Sequence, residues 1–143
     1  NNVFAATDIA FNLGITMALG AGADTVTFNN TDLAGKVSLK LGDGADTLNV
    51  DGDTSHTTPR DLWASLAIDM GAGNDTVNVE DANFRGKTGL KLGLGNDTLQ
   101  AENVALYARG TLDGGLGFDT LVDVGGNGLF TTRITAKNME AWV

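Results

Sequence analysis

"LGLGNDTLQA", Leu92 to Ala101, decides the fold because close copies of it recur four more times. Upstream stand "LGAGADTVTF" (Leu19 to Phe28), "LGDGADTLNV" (Leu41 to Val50) and "MGAGNDTVNV" (Met70 to Val79), and downstream "GGLGFDTLVD" (Gly114 to Asp123). Each places Gly-x-Gly-x-Asp-Thr before an apolar residue. The motif aspartates Asp24, Asp46, Asp75, Asp97 and Asp119 are separated by 22, 29, 22 and 22 residues. A constant period of this size is the mark of a stacked repeat. One block of seven interrupts it, within "DGDTSHTTPRD" (51–61), which holds the only proline. That block reads as a surface loop inserted into one coil.

Aligned on the aspartate, the chain resolves into columns. Five residues earlier stand Leu19, Leu41, Met70, Leu92 and Gly114; seven earlier, Met17, Leu39, Ile68, Leu90 and Leu112. Two residues later come Val26, Leu48, Val77, Leu99 and Leu121. Apolar residues at alternate positions on both sides of a glycine turn predict two short strands with one buried face. Leu33, Phe84 and Leu106, nine residues past the aspartate, supply a third strand-like segment. A unit of this length cannot bury its own apolar face, but stacked units can, each about 4.8 Å above the last. The expected fold is all-β: a single parallel β-helix or β-solenoid domain spanning 1–143. It has about five to six coils of roughly 22 residues and one loop insertion, right-handed as parallel crossovers are. A leucine-rich repeat has a similar period, but its L-x-x-L-x-L-x-x-N run is missing and the glycine density opposes its helices.

The ends extend the register. One period before Asp24 lies Asn2, which puts Phe4 in the Val26 column and Phe11 in the Leu33 column. The chain thus starts in mid-coil, as expected of a piece of a longer solenoid or of a coil covered by another domain or chain. Ile134 falls in the Leu112 column, and the following turn, "KNMEA", lacks glycine. Residues 134–143 are expected to be a C-terminal cap, with Trp142 covering the last coil.

Composition narrows the function classes. Eighteen Asp plus Glu against nine Lys plus Arg give a net charge of -9, which opposes nucleic acid and anionic membranes as partners and suits cations. Without cysteine there is no disulfide, thiolate metal site or cysteine nucleophile. No apolar run reaches the roughly 18 residues of a membrane span.

Two readings of the aspartate file stand side by side. In the first, the glycines allow a sharp corner and the carboxylate closes it as an Asx-turn, so the motif is purely structural. In the second, five like charges about 4.8 Å apart raise one another's pKa unless something neutralises them, and no Lys or Arg lies within any of the five turns. A divalent cation between successive turns would do so, and carboxylates with exposed turn carbonyls form the all-oxygen set that Ca²⁺ favours.

"GAGNDTVNV" (Gly71 to Val79), "GLGNDTLQA" (Gly93 to Ala101) and "GGLGFDTLV" (Gly114 to Val122) resemble the glycine-rich nonapeptide G-G-x-G-x-D-x-U-x, the calcium-binding repeat of RTX (hemolysin-type) proteins. The resemblance implies Ca²⁺ held by Asp24, Asp46, Asp75, Asp97 and Asp119. Carbonyls of Gly22, Gly44, Gly73, Gly95 and Gly117 would supplement them. It also implies an exported bacterial protein, extracellular or at the cell surface. Two features depart from that family. Only Gly114-Gly115 supplies the doubled glycine, and each coil has one such turn where RTX coils have two.

Other features are weaker. Ala18, Lys40, Asp69, Lys91 and Asp113 form a column of alternating sign, as cross-strand pairing on an exposed ladder requires. Lys36, Lys87 and Arg109 form a solvated basic edge. Thr25, Thr47, Thr76, Thr98 and Thr120 make a threonine file, but its partner file breaks after Thr27, against an ice-binding array. His56, with Asp51, Asp53, Arg60, Asp61 and Trp63 around it, lacks the spacing of a catalytic set. The functional expectation is a non-enzymatic extracellular structural or adhesive module with Ca²⁺ between its turns. The alternatives are a fragment of a β-helical polysaccharide-active enzyme and a solenoid that holds no metal.

Overall fold

A computed structural model describes residues 1–52, 60–62, 65–126 and 133–143. The chain opens with β1 (Val3–Thr7) and β2 (Ala10–Phe11), and then repeats a three-strand coil. The first is β3 (Ile15–Ala21), β4 (Thr25–Asn29) and β5 (Asp32–Leu33), the next β6 (Val37–Asp43), β7 (Thr47–Asp51) and β8 (Arg60–Leu62). There follow β9 (Leu66–Ala72), β10 (Thr76–Glu80) and β11 (Ala82–Phe84), then β12 (Thr88–Leu94), β13 (Thr98–Glu102) and β14 (Ala105–Leu106). The chain ends with β15 (Gly110–Leu116), β16 (Thr120–Gly125), β17 (Ile134–Lys137) and β18 (Ala141–Trp142).

Each strand pairs in parallel with its equivalent one coil away. One face is the sheet β1-β4-β7-β10-β13-β16-β18 and a second is β17-β15-β12-β9-β6-β3. The short strands, as β14-β11-β8 and β2-β5, make the third side. This is the expected parallel β-solenoid, of about six coils with 22-residue spacing. Among the described residues no helix is long and apolar enough to cross a membrane.

The interior is built from the predicted columns. Val26, Leu48, Val77, Leu99 and Leu121 are all at most 1% exposed, and Leu41, Met70 and Leu92 face them from the second sheet. Leu33, Phe84 and Leu106 close the third side. Burying one such leucine contributes about 1.5–3 kcal/mol, and each is buried only because coils lie above and below it. Phe4 pairs with Val26 in register and Phe11 with Leu33, and the rings of Phe4 and Phe28 lie 5.7 Å apart.

The inserted block is narrower than 51–61. Asp51 ends β7 in register with Glu80, and Arg60 pairs with Ala82 at the start of β8, so the seven extra residues fall between Gly52 and Arg60. Asp53, His56 and Trp63 lie outside the described residues.

The C-terminal register differs from the sequence expectation. Ile134 pairs with Gly110, and Ala136, not Ile134, takes the Leu112 column. The strand enters two residues late, and the turn "KNMEA" recovers the register by being three residues short. Lys137 is opposite Asp113, yet Ala141 is already opposite Thr120. Trp142 stands in the Leu121 column, half exposed.

Candidate functional site

The repeated turn joins the two large sheets, and its glycines are fixed by contact as well as by φ. Gly42 has φ of 118°, and a Cβ there would come within 1.9 Å of the Gly20 carbonyl oxygen. Gly95, at φ 130°, would meet the Gly73 oxygen at the same 1.9 Å. The carbonyls of Gly22, Gly44, Gly73 and Gly95 therefore face the Cα of the equivalent glycine one coil on.

The structure brings all five motif aspartates into one buried column, each at most 1% exposed. Their carboxylates do not close their own turns as Asx-turns would. The N–H of Asp24 donates to Oδ1 of Asp46 at 2.8 Å, and Asp46 to Asp75 and Asp75 to Asp97 at the same distance. Asp97 donates to Asp119 at 2.9 Å, and Asn2 begins the series by donating to Asp24. The carbonyls of Asp24, Asp46, Asp75 and Asp97 in turn accept the threonine N–H of the next coil, as in Asp24 with Thr47 at 2.8 Å and Asp75 with Thr98 at 2.9 Å, and that of Asp119 accepts the N–H of Glu140 and Ala141. One residue type thus ties each corner to the coils on both sides.

The other carboxylate oxygen is different. Oδ2 of Asp24, Asp46, Asp75, Asp97 and Asp119 is buried and has no hydrogen-bond partner. In the last full turn a Cβ on Gly114 would sit 2.6 Å from Asp119 Oδ2. The oxygen therefore faces inward, against the column that holds Leu41, Met70 and Leu92 in earlier coils. Burial there pushes up the pKa of Asp46, Asp75, Asp97 and Asp119, that of Asp75 to about 6. The accepted backbone N–H works against this rise, and the neighbouring carboxylates add to it. Charge repulsion was legible from spacing, but the larger cause, desolvation, depends on which way the side chain points.

Three features were missed in the sequence. Glu140 carries the ladder into the glycine-free turn: its Oε2 accepts the N–H of Asp119 at 2.8 Å. A second corner lies six residues past Asp24, Asp75 and Asp97, where Asn30, Asp81 and Asn103 adopt φ near +50°, as Asp8 does in the first coil. Asn and Asp tolerate this left-handed conformation best after glycine, and Asn30 donates its amide to Asp8 and Asn103 to Asp81. The recurring Asx at a fixed offset was the available signal. A third, partial file runs on the outside of the turn, where Asn74 Oδ1 accepts the Asn96 N–H and Asn96 Oδ1 that of Phe118.

Two other surfaces carry ordered charge. Asp51, Glu80 and Glu102 follow one another in register on the first sheet, and the first two line a groove of about 290 Å³ with Thr27, Asn29, Asn49, Val50 and Asn78. No aromatic residue is among its described lining residues. The predicted alternating column is real: Lys91 pairs with Asp69 at 3.7 Å and Lys137 with Asp113 at 2.7 Å. Among the described residues no group of three or more His, Cys, Asp or Glu side chains converges as a metal site would require. No protein-family model matches the chain, and no curated protein or solved structure matches it.

Proposed function

We propose that the chain is a non-enzymatic structural module, a stiff rod that holds other parts of an extracellular or cell-surface protein apart or presents them for adhesion. The observation that carries this is the aspartate ladder. The most repeated polar group in the sequence is buried and engaged coil to coil, so its chemistry serves stacking. A glycan-cleaving β-helix would need acids and aromatics converging on one groove. The groove that Asp51 and Glu80 line has Thr27, Asn29, Asn49, Val50 and Asn78 as its other walls instead.

A second reading, Ca²⁺ along the aspartate edge, is favoured by the five unpartnered Oδ2 atoms. Asp24, Asp46, Asp75, Asp97 and Asp119 would hold it, and a cation would supply the positive charge that their burial lacks. The carbonyls of Gly22, Gly44, Gly73 and Gly95, facing the next coil's glycine, would have to turn toward it, and Gly117 would serve the last turn. Export to millimolar calcium would suit weak sites of this kind.

Thermal unfolding at neutral pH with EGTA, and again with excess Ca²⁺, separates the two. The calcium reading expects a higher melting temperature with the ion and loss of that gain in Asp97→Asn. An unchanged melting temperature leaves the rod metal-free. The structural reading itself fails if Asp97→Ala melts as the parent does in EGTA.

A further inference from the structure

The corners of the coil are not alike in charge. At the third, where the short strands give way to the second sheet, Lys87, Arg109 and Arg133 stand one above another. Each directly precedes a member of the paired set Thr88, Gly110 and Ile134, so about 4.8 Å separates successive positions. On the same sheet, Lys91 pairs with Asp69 and Lys137 with Asp113 in a column that alternates in sign. The corner column does not alternate. Like charges directly opposite one another destabilise a ladder, and no carboxylate among the described residues pairs with Lys87, Arg109 or Arg133. Nor is this the edge of a sheet, where lysine guards against aggregation, since β12 and β17 flank β15.

The cations around this column are held in place. Phe84 is in register with Leu106, which sets Arg85 beside Tyr107, and the Arg85 guanidinium lies 4.7 Å from the centre of the Tyr107 ring. Arg133 Nη1 donates to the Tyr107 carbonyl at 2.5 Å. Tyr107 is 43% exposed. At the C-terminal end of the column, Arg109, Arg133, Ile134 and Thr135 line an opening of about 350 Å³.

We propose that this corner binds a linear acidic polysaccharide, laid along the rod with its acid groups on Lys87, Arg109 and Arg133 and a sugar ring against Tyr107. Three stacked cations call for like charges in a line at close to the coil spacing. In a polymer of acidic sugars each unit carries a carboxylate or sulfate and repeats at about that interval, and long Lys and Arg side chains absorb the difference. An extended acidic peptide presents one face every second residue, about 6.8 Å apart, and falls out of step. A single-stranded nucleic acid needs a run of aromatics for its bases, and Tyr107 is the one exposed aromatic among the described residues of this corner.

Arginine offers paired N–H donors to a carboxylate or sulfate, and the exposed ring offers an apolar plane to a sugar. The column holds no carboxyl group to act as general acid or base, so the glycan is bound rather than cut. The net charge of -9 is set elsewhere on the chain and is screened beyond about 8 Å at physiological ionic strength. Glycan binding deepens the adhesive reading and rests on it for its extracellular setting. Melting of Asp97→Ala decides that reading, and binding by the intact chain decides this one.

Isothermal titration of the chain in EGTA with oligogalacturonate and with a heparin oligosaccharide should show binding to at least one, the stronger arm naming carboxylate or sulfate as the acid. A neutral oligosaccharide of the same length should not bind, and roughly 0.5 M NaCl should weaken the complex at least about tenfold. Arg109→Glu removes the middle cation and relieves repulsion in the ladder. It should melt no lower than the parent while losing at least about tenfold in affinity. Tyr107→Leu keeps an apolar side chain without the ring face and should lose at least about threefold. Lys36, separated from the other three cations by Ser65 in the same column, is the control, and Lys36→Gln should bind within about twofold of the parent. The inference is overturned if neither acidic glycan binds, or if Arg109→Glu or Tyr107→Leu binds like the parent. Polyglutamate or oligothymidylate of equal charge binding as tightly as the better glycan overturns it too.

Discussion

Glu140 Oε2 accepts the backbone N–H of Asp119 at 2.8 Å, standing where every earlier coil has an aspartate Oδ1. The last turn is short, and the extra methylene of glutamate covers the missing reach. Glu140→Ala should leave the buried Asp119 N–H without a partner and cost about 1–3 kcal/mol. Hydrogen exchange would place the loss in β16 to β18. Glu140→Gln keeps the acceptor and should hold most of the stability, whereas Glu140→Asp, being too short, should not.

The glycine pairs permit a contrast within one turn type. Gly95→Ala imposes a Cβ 1.9 Å from the Gly73 oxygen at φ 130°, while Gly20→Ala, at φ 100°, has nothing within 4 Å. Strain at positive φ alone costs about 1–2 kcal/mol. Gly20→Ala should lose about that, and Gly95→Ala distinctly more, as read by urea unfolding. Equal losses would mean that φ, not the stacked carbonyl, sets the requirement for glycine.

At the second corner, Asn103 sits at φ 51° and donates its amide to Asp81 at 2.5 Å. Asn103→Gly relieves the backbone and loses the side-chain bond, so its stability should change by less than about 1 kcal/mol. Asn103→Val, β-branched in a left-handed position, should cost more than about 2 kcal/mol. Equilibrium unfolding of both variants checks the pair.

The coil was legible because its determinants are periodic. Val26, Leu48, Val77, Leu99 and Leu121 announce one face, and the glycines announce the corner between faces. What was hidden depends on direction rather than spacing. Asp46 and Asp75 look alike whether the carboxylate faces water or the core, and only the folded chain shows Oδ1 on the next coil and Oδ2 against the interior. The C-terminal coil was misaligned for a different reason. Two compensating changes, a late strand before Ile134 and a short turn before Glu140, leave a total close to one period, so counting from Asp119 misplaced Ile134.

The buried carboxylates should invert the usual acid response. A group whose folded pKa exceeds its unfolded value binds its proton more tightly when folded, so it stabilises the fold as pH drops and that contribution is lost as pH rises through the folded pKa. Asp75, raised to about 6 from 3.8, and Asp46, Asp97 and Asp119, raised alongside it, place this window between roughly pH 6 and 4. Asp75 alone contributes at most ~3 kcal/mol. Asp113, held low by Lys137, acts oppositely, but only below the ordinary carboxylate range. In EGTA the urea midpoint should therefore rise from pH 7 to about pH 4.5, instead of falling. Net charge also shrinks toward the isoelectric point near 4.2, so a control is needed. Asp75→Asn should flatten the rise, while Glu102→Gln, removing an exposed charge, should not. A midpoint that falls steadily on acidification in EGTA would overturn this reading of the buried column.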